Sequence, residues 1–104
     1  MTRQVYKFGE KIFLGNADGL GVIIDKIVEN PATQSIVFDM ENVKLCDSYG
    51  LKFLITYQRK ATAHGKTLYL YRPDAFLKDM LENTKLTHFF SVIDSLDNNV
   101  PPAA

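Results

Sequence analysis

The segment LCDSYGLKFL, residues 45–54, decides how the fold of this chain is interpreted. Asp47 and Ser48 stand between an apolar segment and a run of residues with helical character. The first amides of a helix have no partner within the helix, and an aspartate or serine side chain at its start can accept a hydrogen bond from them. Either residue can provide this cap. The segment therefore raises the question of whether Ser48 only starts a helix or is also presented to another protein.

Three helices are predicted, each from apolar residues that recur at helical spacing. The first is the segment ADGLGVIIDKIVEN, in which Asn16 or Asp18 can cap the first amides. The second runs from the quoted segment to a glycine-bearing turn at residues 64–66. The third opens at the Pro73-Asp74 pair. Its predicted apolar stripe consists of Phe76, Leu77, Met80 and Leu81.

Five segments rich in β-branched and aromatic residues predict strands. Residues 4–8 and 11–14 are separated by Gly9-Glu10, which favours an antiparallel hairpin with a type II′ turn. Residues 35–40 are almost continuously apolar, which indicates a central strand covered on both faces. The remaining predicted strands are residues 67–71 and 89–93.

The resulting order, β-β-α-β-α-β-α-β, predicts an α/β fold: a single domain with a mixed sheet of about five strands and three helices. We assign residues 1–96 to this domain and expect the polar and then Pro/Ala-rich residues 97–104 to be a disordered tail. In such sheets, function concentrates beyond the carboxyl ends of the strands. The junctions at residues 15–18 and 46–50 both reach that edge, so we expect them to be neighbours.

The composition of the 104-residue chain excludes several function classes. Twelve basic side chains balance twelve acidic ones, so the basic surplus that nucleic-acid binding requires is not present. No apolar run approaches the roughly 20 residues needed to span a bilayer, and no hydrophobic signal segment begins the chain. The single cysteine, Cys46, suits a reducing compartment. We therefore expect a cytoplasmic protein without membrane insertion.

No catalytic or metal site is predicted. His64 and His88 lack partners at metal-ligand spacing, and the sequence places no base that would activate Cys46 as a nucleophile. The chain contains neither a GxxxxGK[ST] phosphate loop nor a GxGxxG fingerprint. We expect neither enzyme activity nor a cofactor. Nucleotide binding at the strand-to-helix turns stays open as a separate hypothesis.

From about residue 5 to residue 95, the chain resembles the STAS domain family, named for sulfate transporters and anti-sigma factor antagonists. That family has a strand, a D-S-[ST]-G-L turn, an apolar helix, a glycine-bearing turn before a strand, another helix and a short phenylalanine-bearing strand. Residues 15–18 (GNAD) resemble the family's G-E-L-D at the start of the first helix. The other matching segments are SIVFDM, DSYGL, AHGKTLYLYRP, FLKDMLENTKL and HFFSVIDS.

The resemblance implies a function for Ser48. In the family, the serine directly after the aspartate is phosphorylated by a partner serine kinase, often itself an anti-sigma factor, and a serine phosphatase reverses the reaction. The chain is then expected to be an anti-sigma factor antagonist-like binding module in a bacterial partner-switching pathway. The alternative is a STAS accessory subunit of a transporter or signalling assembly with a structural role. In that case, Ser48 is an interaction residue and not a switch.

Partner contacts are expected around Ser48. Gly50 leaves room for another molecule to approach the backbone. Tyr49, Phe53 and Tyr57 follow one another at four-residue spacing on roughly the opposite side from the sheet, which makes them candidates for a docking surface. The alternative is that Phe53 and Tyr57 pack against a neighbouring helix. The predicted partner-binding residues are Asn16, Asp18, Asp47, Tyr49, Gly50 and Phe53.

Three residues depart from the family pattern. Tyr49 replaces the usual second serine or threonine and so removes an alternative phosphorylation site. Asn16 replaces the glutamate of G-E-L-D and alters the local charge. Lys85 stands where a glycine is usual, with an effect that we expect to be local. The sequence leaves the oligomeric state open.

Overall fold

The structure, a computed structural model, describes residues 2–96. It confirms the predicted α/β class with three helices, while the predicted tail at residues 97–104 lies outside the described residues. The elements are β1 (Thr2–Lys7), β2 (Lys11–Ile12), α1 (Leu14–Glu29), β3 (Thr33–Asp39), β4 (Leu45–Cys46), α2 (Ser48–Ala63), β5 (Thr67–Tyr71), α3 (Ala75–Asn83) and β6 (Ser91–Ile93).

The strands form a four-stranded sheet and a two-stranded sheet. The larger sheet has the order β1-β3-β5-β6, and the smaller pairs β2 with β4. Every pairing between the described strands is parallel, so the predicted antiparallel hairpin is wrong. The Glu10 carbonyl accepts hydrogen bonds from the amides of Lys44 and Leu45 at 2.7 and 3.0 Å, which ties the chain after β1 to the segment before α2.

The alternation of side chains in β3 and β5 gives the larger sheet two apolar faces. Ile36, Phe38 and Leu70 belong to the main core, which the three helices cover. Val37 and Tyr69 point to the opposite face, where Leu96 packs against them. The prediction that residues 35–40 form a central strand covered on both faces is confirmed for residues 36–39, which are all buried, while Met40 is buried just after the strand ends. Burial of each large apolar side chain contributes about 1.5–3 kcal/mol to stability.

Helix α1 begins at Leu14, earlier than the sequence indicated. Its N-cap residue is Phe13, so neither Asn16 nor Asp18 occupies the capping position. Asn16 instead reaches back from the first turn: its Oδ1 accepts from the Phe13 amide at 3.0 Å, and its Nδ2 donates to the Lys11 carbonyl at 2.7 Å. Asn16 thereby fixes the start of α1 to β2.

Two helices end at residues in the left-handed backbone region. Gly65, with φ of 71°, follows α2 and confirms the predicted terminator. Lys85, with φ of 60°, follows α3 in the same manner, and the next amide, of Leu86, donates to the Leu81 carbonyl at 2.7 Å. Lys85 therefore adopts a conformation that glycine adopts without steric strain.

Candidate functional site

Asp47 is the cap of α2, and Ser48 lies beside it with its hydroxyl exposed. Asp47 Oδ1 accepts a hydrogen bond from the Gly50 amide at 2.8 Å. Ser48 is the first residue of α2 and is exposed, and its hydroxyl has no hydrogen-bond partner among residues 2–96. Asp47 alone therefore performs the capping that the sequence allowed for either residue. The Ser48 hydroxyl can react with another molecule without any loss of an internal contact.

Gly50 is buried where α2 crosses the end of β2. A Cβ atom at this position would overlap the carbonyl oxygen of Ile12 and lie 2.8 Å from the sulfur of Cys46. The space that was expected to admit a partner is therefore filled by the chain's own backbone. This placement argues against a direct contact between Gly50 and a partner. It shows instead that the missing side chain allows α2 to rest on β2.

A groove of about 400 Å³ runs between α1 and α2 and begins at Tyr49, next to Ser48. Tyr49 is 51% exposed, and Asp18 and Lys52 place opposite charges on the two walls. Because Asp18 and Tyr49 line the same groove, the two junctions that were expected to be neighbours do meet. The lining residues are Leu14, Ala17, Asp18, Gly21, Val22, Asp25, Tyr49, Lys52, Phe53, Thr56 and Tyr57.

Of the three aromatic side chains of α2, one is exposed and two are buried. Phe53 is only 7% exposed and packs edge-on against Phe8, with ring centroids 6.3 Å apart. Its ring centroid also lies 4.7 Å from that of Tyr57, which is buried as well. Phe53 and Tyr57 therefore pack inward, as the alternative interpretation of their spacing held, and both form the floor of the groove. Tyr49 is the aromatic residue of α2 that stays available to a partner.

An ion pair and a tyrosine close the groove at the end away from Ser48. The Tyr57 hydroxyl donates to Asp25 Oδ1 at 2.9 Å, and Lys60 Nζ lies 3.0 Å from the same oxygen. The hydrogen bond from Lys60, reinforced by that from Tyr57, holds the pKa of Asp25 below its ordinary value against the opposing effect of desolvation. Burial and the hydrogen bond to Asp25 raise the pKa of Tyr57 to about 12. This cluster connects α1 to α2.

Carboxylates from two helices surround the junction of β4 and α2. Burial raises the pKa of the Cys46 thiol to about 12, and the negative charges of Asp47 and Asp74 raise it further in the same direction. Asp74 is the cap of α3, where it accepts from the Leu77 amide at 2.9 Å. The Cys46 thiol is therefore protonated at neutral pH and is a poor nucleophile. The proximity of Asp74 was missed, although its position directly after β5 places it at the edge predicted for the site.

A second apolar surface lies between β4 and α3. Phe76 was predicted to belong to the apolar stripe of α3, but it is 84% exposed. It borders a cavity of about 230 Å³, and Leu45, on the same cavity, is also exposed. The other apolar residues that line this cavity are Val43, Cys46, Leu77 and Met80.

No helix within residues 2–96 has both the length and the apolar character needed to cross a membrane. In the same range, no three His, Cys, Asp or Glu side chains are grouped so that they could hold a metal ion.

The fold and this junction define an α/β domain in which a capped helix presents an exposed serine beside a groove. The STAS domain family model matches residues 3–99, and the chain belongs to that family. None of the curated proteins compared with the chain matches it.

Solved structures with the same fold include proteins of two kinds. A sulfate transporter family protein from Wolinella succinogenes has a TM-score of 0.77 and 22% identity, with 91% of this chain and 79% of that chain covered. The anti-sigma factor antagonist SpoIIAA in its unphosphorylated form has a TM-score of 0.73 and 16% identity, with 90% and 84% covered. The Bacillus cell fate determinant SpoIIAA in the phosphorylated form has a TM-score of 0.68 and 14% identity, with 88% and 82% covered.

Proposed function

We propose that this chain is an anti-sigma factor antagonist-like module of a bacterial partner-switching pathway, controlled by phosphorylation of Ser48. The observation that carries the proposal is the exposed Ser48 hydroxyl, which stands at the start of α2 while Asp47 performs the capping. Membership of the STAS family and similarity to SpoIIAA, a protein solved in both phosphorylation states, support it. The proposed partners are a serine kinase that is also the bound target and a serine phosphatase, all in the cytoplasm.

The proposed modification requires only an accessible hydroxyl from this chain. Ser48 Oγ attacks the terminal phosphorus of ATP bound to the kinase, ADP leaves with the electron pair of the broken bond, and the hydroxyl proton passes to a base of the kinase. In the reverse direction, the phosphatase directs water to the phosphorus, which releases inorganic phosphate and restores the serine. Both sets of catalytic groups belong to the partners, so the chain is proposed to act without enzyme activity of its own.

The unmodified surface is proposed to bind the kinase through Tyr49, Asp18 and Asp47. Tyr49 offers a half-exposed aromatic ring, a residue type that is enriched among the anchors of protein interfaces. Asp18 lies on the facing wall of the groove and gives the surface a charge that a basic side chain would match. Asn16, Gly50 and Phe53 contribute by fixing the shape of this surface, since their own side chains or backbone are occupied internally.

Phosphorylation is proposed to act as an electrostatic switch. It adds a charge of about −1.5 to −2 at neutral pH, directly after the carboxylate of Asp47 in the chain, while Asp74 adds a further negative charge near Cys46. In the free domain, the α2 N-terminus offsets part of this repulsion, by about 0.3–1 kcal/mol. When a partner covers the junction and excludes water, like charges cost several kcal/mol. Since each 1.4 kcal/mol is tenfold in affinity, the modified domain is expected to dissociate without any change of fold.

Substitutions at Ser48 test this function. After incubation with the cognate kinase and ATP, mass spectrometry is expected to find one phosphate on the wild type and none on Ser48→Ala. In calorimetric titrations, Ser48→Ala is expected to bind the kinase like the wild type, and Ser48→Asp at least about tenfold more weakly. Gln34→Glu, which adds one charge near the opposite edge of the sheet, is the matched control. Equal affinities for the Ala and Asp variants would refute the switch.

The second candidate function is that of an accessory subunit in a transporter or signalling assembly. Two observations favour it: the similarity to a sulfate transporter family protein and the exposed apolar surface at Phe76 and Leu45. In this case, Phe76→Ser is expected to release the chain from its assembly, while Ser48→Ala and Ser48→Asp remain bound with equal affinity. Size-exclusion chromatography of the reconstituted assembly distinguishes the two functions.

A further inference from the structure

We propose that Lys52 is the intramolecular partner of the Ser48 phosphate, an inference that rests on the proposed phosphorylation of Ser48. Both residues are exposed and both lie on α2, four positions apart. Side chains at this spacing are neighbours on one face of a helix, with Cβ atoms about 5–6 Å apart. The long lysine side chain can therefore place its ammonium group against a phosphate on Ser48.

The ammonium group of Lys52 is not engaged elsewhere in the described part of the chain. The backbone carbonyl of Lys52 accepts from Thr56 Oγ1 at 2.8 Å, but its side chain forms no ion pair with any of residues 2–96. Lys60, the other lysine beside the groove, is held by Asp25 and lies three helical turns from Ser48. Lys52 is thus the lysine of α2 whose ammonium group is free to pair with a new negative charge at Ser48.

The order of the two charges along α2 adds to their attraction. An acidic group on the N-terminal side of a lysine at this spacing is the more stabilising orientation, and the phosphate lies in the first turn of α2, where a negative charge complements the helix dipole. The carboxylate of Asp47, the residue before Ser48, opposes the phosphate, and two neighbouring elements carry charges of the same sign: Asp18 on α1 lines the groove with Tyr49, and Asp74 at the start of α3 acts on Cys46. Lys52 is the positive side chain that offsets them from within the same helix.

The pairing would change the groove as well as Ser48. In the unmodified domain, Lys52 stands across the groove from Asp18. When the phosphate binds the ammonium group, the charge of Asp18 is no longer balanced across the groove. A partner would then meet two differences, an added phosphate at Ser48 and a more acidic groove, although neither helix has moved.

The titration of the phosphate tests this inference without a kinase. Phosphoserine is installed at position 48 during translation, and the second pKa of the phosphate, ordinarily about 6, is followed by phosphorus NMR. Pairing with Lys52 lowers this pKa, so Lys52→Met is expected to raise it by about 0.3, with Lys52→Arg close to the wild type. Lys26→Met, which removes an exposed lysine from the last turn of α1, is the matched control and is expected to change it by no more than about 0.1.

Equal pKa values in the Lys52→Met and Lys26→Met proteins would overturn the role of Lys52. Circular dichroism verifies that each variant is folded, which is expected because both lysines are exposed. The result is separable from the proposed function. A partner that ignores the installed phosphate would refute switching, whereas an unchanged phosphate titration would refute only the pairing with Lys52.

Discussion

The α-carbon of Gly50 lies against the carbonyl group of Ile12, and the Cys46 sulfur is close to the same point. This contact sets the position of the first turn of α2 on the end of β2. The Asp47-Ser48 junction is thereby held at the sheet edge where the groove between α1 and α2 begins. Gly50, which the sequence suggested as an opening for a partner, is thus the residue whose packing positions the exposed Ser48.

Gly50→Ala is expected to destabilise the domain by about 2–3 kcal/mol, because the added methyl group overlaps backbone atoms that cannot move aside easily. Gly19→Ala is the matched control. A Cβ at Gly19 meets nothing within 4 Å, so alanine is expected to stabilise α1 by up to about 1 kcal/mol. Urea denaturation measures both. An unchanged free energy of unfolding for Gly50→Ala would contradict the role assigned to this contact.

Lys85→Gly is expected to stabilise the domain by about 0.5–1 kcal/mol. Lys85 has φ of 60°, a backbone conformation that costs a lysine about 1–2 kcal/mol and a glycine very little. The greater freedom of glycine in the unfolded chain offsets part of this gain. Lys85→Ala keeps the steric penalty and serves as the control in thermal denaturation. If both variants melt together, relief of backbone strain is not the cause.

Asp25→Asn is expected to lower the free energy of unfolding at pH 7 by about 0.5 kcal/mol, as is typical of a partly exposed ion pair. The pKa of Asp25 is lowered by folding, so its contribution is present above the ordinary value of 3.8 and disappears as pH falls through the lowered value. Urea denaturation between pH 2 and 7 should therefore show the two proteins converging at low pH. Asp79→Asn, on the exposed side of α3, controls for a general effect of charge.

The Cys46 thiol is expected to react with iodoacetamide at pH 8 at least about a hundredfold more slowly in the folded domain than in urea. Burial and nearby carboxylates raise its pKa from 9.0 to about 12, which keeps the reactive thiolate scarce. Mass spectrometry of timed samples measures the rate. Equal rates in the folded and unfolded chain would show that the thiol is not protected in this way.

The same pKa predicts a loss of stability in alkali. Because folding favours the protonated thiol, its contribution is full below about pH 9 and declines as pH rises toward 12. Tyr57, whose pKa is also raised to about 12, contributes with the same sign. Cys46→Ala is therefore expected to make the decline less steep between pH 9 and 11.

The sequence predicted the long elements well and the short ones poorly. Helices α1 and α2 have clear helical periodicity, strand β3 has an almost continuous apolar run, and each was found. Strands β2 and β4 have two residues each, too few to show any period. Gly9-Glu10 therefore indicated a hairpin, and only the hydrogen bonds accepted by the Glu10 carbonyl reveal that β2 belongs beside β4.

The candidate site was predicted only in part, because periodicity did not settle which side chains of α2 are exposed. Helix α2 has apolar residues on several sides, so periodicity could not decide whether Phe53 and Tyr57 face the core or the solvent. The cap at Asp47 agrees with the local signals of the sequence, whereas the exposure of Ser48 is not specified by them. The effect of Asp74 depends on the approach of a separate element, and the proposed role of Lys52 depends on which face of α2 is exposed. Local sequence patterns alone specify neither.

Asp47 and Ser48 have separate structural roles, and this separation affects which substitutions the domain tolerates at each position. The residue that starts the helix is not the residue that stands ready for modification. Position 48 can therefore exchange serine for threonine, alanine or an acidic residue while the architecture persists, so the proposed phosphorylation site can be gained or lost there by a single substitution. Position 47 has less freedom, because its side chain must accept the hydrogen bond from the Gly50 amide, and aspartate, asparagine, serine and threonine are the residues suited to that cap.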